Sequence, residues 1–160
     1  MRYYFNDDIT VQAVNSLVEK LQDKEGKIDL WFNTEGGSPN AMKFLLSFLN
    51  ARKDDITITL TDRLCSSGTL LLTDFEGRIV IHEGLDFILF HAFDRESYSI
   101  RKDVDIPAKE ITKQDEKRNK KFAKKLLNKG VLNKKQIKRF HKGLDVVFLR
   151  KEIDKLKQKL

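Results

Sequence analysis

The chain predicts an α/β fold built on a largely parallel sheet, and three observations carry that expectation. Short β-rich runs alternate with segments of helical periodicity from the N-terminus to residue 90. The run Ile28-Asp29-Leu30-Trp31-Phe32-Asn33 is strongly apolar with little alternation, as an interior parallel strand is. Two of the runs pass directly into a glycine turn that opens a helix, the joint a β–α unit requires.

In order, Arg2 to Phe5 reads as a short strand, and residues 9 to 22 place Val11, Val14, Leu17, Val18 and Leu21 on one helical face. Asp23-Lys24-Glu25-Gly26 ends that helix. The strand from Ile28 follows, and Thr34-Glu35-Gly36-Gly37 is a tight turn. Ser38-Pro39 then opens a helix, with an N-cap residue ahead of proline at the first position. Its expected buried face is Ala41, Phe44, Leu45, Phe48 and Leu49. Ile56 to Leu60 is the next strand. It leads to Cys65-Ser66-Ser67-Gly68-Thr69 and an apolar run, too long and too even for a strand, read as a buried helix to about Phe75. Arg78 to Ile81 and Phe87 to Phe90 are two further strands, separated by Glu83-Gly84.

Past His91 the texture changes. Asp94 to Val104 is polar and reads as a loop or short ribbon, and Asp105-Ile106-Pro107 as the entrance to a helix running to about Asn128. Gly130 stops that helix. Asn133-Lys134-Lys135-Gln136 is a capping box for a second one, closed by Gly143. Asp145-Val146-Val147-Phe148-Leu149 reads as one short strand, and Arg150 to Leu160 as a charged helix. The stripe Ile111, Phe122, Leu126, Leu127 is too thin for these helices to be buried on every side, so self-association through the second half is expected. The expected organisation is a single domain. An α/β body covers 1–93 and a projecting charged helical handle 94–142, while a strand and helix over 143–160 return to the body.

Charge divides the chain in the same way. Its 160 residues carry a net +7. Lys113 to Lys142 holds 13 Lys or Arg against Asp115 and Glu116, a local +11, so the rest stands at −4 (+7 less +11). Such a segment is most often a solvated helical face. Contact with nucleic acid through it is the less expected role, because no aromatic or glycine pattern of a known nucleic-acid module accompanies it. No apolar run approaches the roughly 20 residues that span a bilayer, so no membrane partner is expected. The opening Met1-Arg2-Tyr3-Tyr4-Phe5-Asn6-Asp7-Asp8 lacks the apolar stretch of a signal peptide. One cysteine, Cys65, permits no intrachain disulfide, and a reducing, cytoplasmic setting is expected. Three scattered histidines and one cysteine show no metal-ligand spacing, and no metal or cofactor is expected.

The two glycine turns carry the functional weight. Both follow a parallel strand and open a helix, so both belong at the carboxyl ends of the strands, where open α/β sheets bind ligands. Their free N–H groups would converge on one developing oxyanion. A serine at a strand-to-helix turn presents its Oγ above the sheet, although Ser66 and Ser67 would equally serve as an N-cap. His91 ends the strand Phe87 to Phe90, at the same edge, or is a core histidine satisfied by backbone. His82 and His141 read as surface or structural residues and Cys65 as a packing residue.

In this order the residues resemble the proteolytic subunit of the Clp protease and its relatives of the ClpP/crotonase fold. Asn33-Thr34-Glu35-Gly36-Gly37-Ser38 is similar to the family's Asn-Ser-Pro-Gly-Gly-Ser, and Cys65-Ser66-Ser67-Gly68-Thr69 to its Ala-Ser-Met-Gly-Ala, whose serine is the nucleophile. Ile88-Leu89-Phe90-His91 fits Val-Met-Ile-His without a gap. Asp145-Val146-Val147-Phe148-Leu149 is similar to Asp-Arg-Phe-Leu with one residue more. The resemblance covers nearly the whole chain. It implies a serine endopeptidase with Ser66, His91 and Asp145 as the triad and the turn residues Gly36, Gly37 and Ser67 forming the oxyanion hole. It also implies peptide or unfolded-protein substrates and a homo-oligomer, in rings or dimers. Asp94, Asp103 and Asp105 compete with Asp145 for the triad acid. Glu35 stands where the family has proline and brings a carboxylate beside the oxyanion glycines. The chain begins almost at its first strand, without the family's pore-gating loops, which argues against docking to an unfoldase ATPase. The other functions open to such a chain are a binding or assembly protein that keeps the fold with little or no turnover, using its basic helices, and a crotonase-type acyl-CoA enzyme.

Overall fold

The computed structural model describes residues 1–92 and 108–159, with the side chains of 108–112 left undescribed. The chain divides into two units. One comprises Met1–Phe90 with Val147–Leu160, and the other His91–Val146.

The first unit is α/β. Its strands are β1 (Arg2–Asn6), β2 (Ile28–Thr34), β3 (Ile56–Cys65), β4 (Arg78–Ile81) and β5 (Phe87–Phe90). A last strand, β6 (Val146–Phe148), begins at the unit boundary. The sheet runs β1-β2-β3-β5-β6, with β4 also on β3. The pairs β1–β2, β2–β3, β3–β4 and β3–β5 are all parallel, as strands joined by helical crossovers must be. The helices are α1 (Val11–Leu21), α2 (Pro39–Ala51), a 3₁₀ turn over Ser66–Leu70 that continues as α3 (Leu71–Asp74), and α6 (Arg150–Lys157).

The strand β2 departs from the sequence reading. It alternates strictly, with Ile28, Leu30, Phe32 and Thr34 buried and Asp29, Trp31 and Asn33 only half-buried. The apolar look of Trp31 conceals a sheet buried fully on one face only. On the other face Asp29 accepts hydrogen bonds from Trp31 Nε1 at 2.7 Å, Thr59 Oγ1 at 2.6 Å and Arg2 Nε at 3.3 Å. Arg2 also lies over the Trp31 ring, 4.3 Å from its centroid. Burial of Asp29 pushes its carboxyl up, but these three donors together outweigh it and hold the group below the ordinary value.

One helical face is rotated from expectation, that of α2, whereas the face of α1 differs only at its first residue. In α1 the buried residues are Val14, Leu17 and Leu21, while Val11 is exposed. In α2 they are Ala41, Met42, Leu45, Leu46 and Leu49, while Phe44 is exposed and Phe48 half-buried. The start of α2 behaves as read, and α1 gains a cap that the sequence reading did not name. Thr10 caps α1 through Ala13 N–H at 3.1 Å, and Ser38 caps α2 through Ala41 N–H at 3.2 Å, with Pro39 next.

The strand β3 is longer than the expected 56–60 because it continues through a bulge. Phe32 faces Leu60 and Thr34 faces Leu64, so β3 spans four steps where β2 spans two. Asp62 takes φ +53°, and the Asn33 side chain accepts the Arg63 N–H at 3.1 Å, filling the gap in the ladder. Before the bulge β3 pairs with β4, and after it with β5. Such a bulge re-aims the strand end that follows it.

The second unit holds α4 (Ala108–Asn128) and α5 (Lys134–His141). Asn133 and Gln136 form the expected capping box, and Gly130 takes φ +66° at the stop of α4. Phe122 and Phe140 meet edge to face at 5.8 Å among buried Ala123, Leu126, Leu132 and Ile137. This corrects the expected open stripe: Phe122 and Leu126 are buried within the chain, and Leu127 is the partly exposed member. The Ile111 side chain lies outside the described residues, as do the expected loop over 94–104 and the helix entrance at 105–107. No described helix is long and apolar enough to cross a membrane.

Candidate active site

Ser66 is the first residue of the 3₁₀ turn at the carboxyl end of β3. Its backbone takes φ +48°, a left-handed conformation that costs a residue with a Cβ about 1–2 kcal/mol. Cys65 before it is still extended, at φ −116° and ψ 153°. The strand therefore passes into the helix at one serine in a left-handed conformation, a sharp strand-to-helix turn. Ser66 is half-buried, whereas Ser67 is buried with no hydrogen-bond partner for its Oγ. Of the two hydroxyls, Ser66 is the one a substrate can reach.

The second glycine turn packs directly against this serine. A Cβ added to Gly36 would stand 2.7 Å from Ser66 Cβ and 3.0 Å from the Cys65 carbonyl oxygen. A Cβ on Gly68 would meet Thr34 Cγ2 at 2.5 Å. The turns thus interlock at two points: Gly36 lies against Ser66 Cβ and the Cys65 backbone, and Gly68 against the Thr34 methyl, leaving no room for a Cβ at either. The Gly36 N–H donates to Thr34 Oγ1 at 3.0 Å, and the Gly36 carbonyl accepts from Ile9 N–H at 2.6 Å. This leaves the Gly37 N–H as the donor the turn can offer to a ligand. Gly37 is held by a parallel bridge to Ile9, whose carbonyl takes the Ser38 N–H at 2.8 Å.

Glu35 does not stand as a bare carboxylate. It is paired with Arg63, whose guanidinium also lies 4.7 Å from the Phe87 ring centroid. Cys65 is buried. Burial first, then the charge and hydrogen bonding of Glu35, push its thiol up to about 11, so at neutral pH it is protonated and a poor nucleophile.

In the second unit, His91 Nδ1 lies 2.8 Å from Asp145 Oδ1. An ionised carboxylate can only accept, so in this contact Nδ1 carries a proton and donates it. The Arg139 Nε–H donates to the Asp145 carbonyl oxygen at 3.2 Å, fixing that backbone. His91 follows Phe90, the last residue of β5, whose register sets Leu89 opposite Cys65. The structure therefore joins Ser66 with Gly36 in one unit and His91 with Asp145 in the other. Asp94, Asp103 and Asp105 lie outside the described residues. His82 packs tilted against Trp31, with ring centroids 4.8 Å apart, and accepts the Gly84 N–H at 3.0 Å, and His141 is exposed on α5.

Four contributors were missed from sequence. Thr34 holds Gly36, Ile9 clamps Gly37, Asn33 closes the bulge and Arg63 neutralises Glu35. Only Thr34 left a local signal, a hydroxyl two residues ahead of a glycine N–H, as in a side-chain-mediated turn. Among the described residues, no group of three or more His, Cys, Asp or Glu side chains is placed to hold a metal ion. Comparison with protein-family models and with curated proteins finds no match to the chain.

Proposed function

We propose that this chain is a ClpP-like serine peptidase. The observation that carries the proposal is Ser66, a half-buried serine held at φ +48° on a strand-to-helix turn, with a glycine turn packed against its Cβ. Ser66 Oγ attacks the scissile carbonyl while His91 Nε2 takes its proton. Asp145 keeps the imidazole in the Nδ1–H tautomer and stabilises the imidazolium. The Gly37 and Ser67 N–H groups hold the oxyanion, with Gly36 providing the close approach. His91 then protonates the leaving amine, and water, deprotonated by the same nitrogen, releases the acyl group from Ser66.

The resemblance supports reading the α/β unit as a ClpP/crotonase-type fold and the protein as a cytoplasmic homo-oligomer acting on peptides or unfolded protein. The test is turnover of an unstructured fluorogenic peptide by Ser66→Ala, His91→Ala and the double variant. Each single change is expected to lower kcat by about 10⁴ or more, with the double no worse than the singles, because the residues act as one unit. Additive losses, or turnover that persists in Ser66→Ala, refute the assignment.

A further inference from the structure

We propose that the α4–α5 hairpin grips the phosphate backbone of a nucleic-acid duplex without reading its sequence. Between Lys117 and Lys142 the chain has twelve Lys or Arg and no Asp or Glu. The nearest acid on the N-terminal side that could offset them on the surface is Glu116, because Asp115 is buried. Most apolar side chains of the hairpin are buried, Phe122, Ala123, Leu126, Ile137 and Phe140 among them, with Leu127 the partly exposed exception. Lys117, Lys120, Lys121, Lys124, Lys134 and Lys138 are all exposed.

Acids placed four residues from lysines stabilise a solvated helix, and like charges at that spacing destabilise it. Here the four-residue pairs Lys117–Lys121, Lys120–Lys124 and Lys134–Lys138 are all repulsive. That repulsion is relieved by an external polyanion. From Lys113 to Asn128 the helix is about 24 Å long, matching a run of duplex that carries roughly 14 phosphate charges. Lysine, a compact point charge without a fixed fork, suits backbone contact rather than base reading. An anionic membrane surface fits less well, since interfacial helices need an apolar face to insert and this one is occupied within the hairpin. An acidic protein partner would need an apolar interface core, and the exposed side of α4 from Lys113 to Lys124 is polar.

The experiment is fluorescence anisotropy of the full chain with labelled DNA and RNA duplexes of about 24 base pairs and mixed sequence, in about 50 and 200 mM KCl. With about five phosphate contacts, affinity should fall roughly 500-fold between those concentrations. In Lys117→Gln/Lys121→Gln/Lys124→Gln the fall should shrink to roughly 12-fold. Lys134→Gln/Lys138→Gln on α5 provides a second variant should the first lose helicity. Both duplexes should bind regardless of sequence, and Ser66→Ala should bind like the parent, which separates this outcome from that of the peptidase proposal. No binding at low salt, unchanged binding in both lysine variants, or tighter binding to phosphatidylserine vesicles or polyglutamate at equal anionic charge would each overturn the proposal.

Discussion

Replacing Gly36 by alanine probes the joint on which the candidate site depends. Gly36 takes φ +107°, where a Cβ is strained, and the added methyl would sit 2.7 Å from Ser66 Cβ and 3.0 Å from Cys65 O. Ordinary carbon contacts lie at about 3.5–4.0 Å, so the two turns must separate by roughly 1 Å. Backbone strain and overpacking together should cost about 2–4 kcal/mol. A displacement of that size at the reacting group should slow acylation about 100-fold. The assay pairs a thermal melt with the rate at which a fluorophosphonate labels the protein. Gly26→Ala is the control. It shares a positive φ, +76°, but its Cβ would have nothing within 4 Å, so it should lose only about 1 kcal/mol and label normally. If Gly36→Ala melts and labels like the parent, the two turns do not meet as described.

Three further outcomes follow from other parts of the molecule. Asp145→Asn should lower kcat about 10⁴-fold while leaving KM nearly unchanged, since the amide can donate an N–H to Nδ1 and so hold the wrong tautomer; steady-state kinetics at neutral pH decide it, and an active variant would give the role to another acid. Asp29 titrates below its ordinary value in the folded chain, so its contribution is present above the unfolded carboxyl pKa of 3.8 and is lost as pH falls through the lower folded value. Denaturant midpoints measured from pH 7 down to pH 3 should therefore fall less steeply in Asp29→Asn than in the parent, and an equal acid response in both would remove Asp29 from the acid-sensitive set. The ClpP-like resemblance, not the largely buried stripe, implies an assembly larger than one chain in sedimentation at micromolar concentration, and a strict monomer at low and high salt would contradict it.

The alternation of β and α elements, the capping residues Ser38 and Asn133 and the helix stop at Gly130 were legible because each acts within a few residues of itself. The face of α2 was harder. In α2, apolar side chains occupy positions 42, 44, 45, 46, 48 and 49, so two adjacent stripes satisfy the same period. Packing selected the one through Met42 and Leu46 and left Phe44 exposed. β2 misled for a related reason, since a half-buried Trp31 held by Arg2 and His82 looks like a core residue in a bare sequence. At the site, glycines and serines were visible as turn chemistry, but their supports are distant in sequence. Ile9 bridges to Gly37, and Arg63 pairs with Glu35 across 28 residues. The β3 bulge that precedes Ser66 comes from a register mismatch with β2, which belongs to the pair of strands and not to either alone.

The most direct measurement is to treat the protein with a fluorophosphonate at neutral pH, digest it and locate the adduct by mass spectrometry. A triad built on Ser66 predicts one adduct, on Ser66 Oγ, absent from Ser66→Ala and from the acid-unfolded chain, and retained in Ser67→Ala. An adduct on Ser67 or another hydroxyl, or labelling that survives in Ser66→Ala, would contradict it.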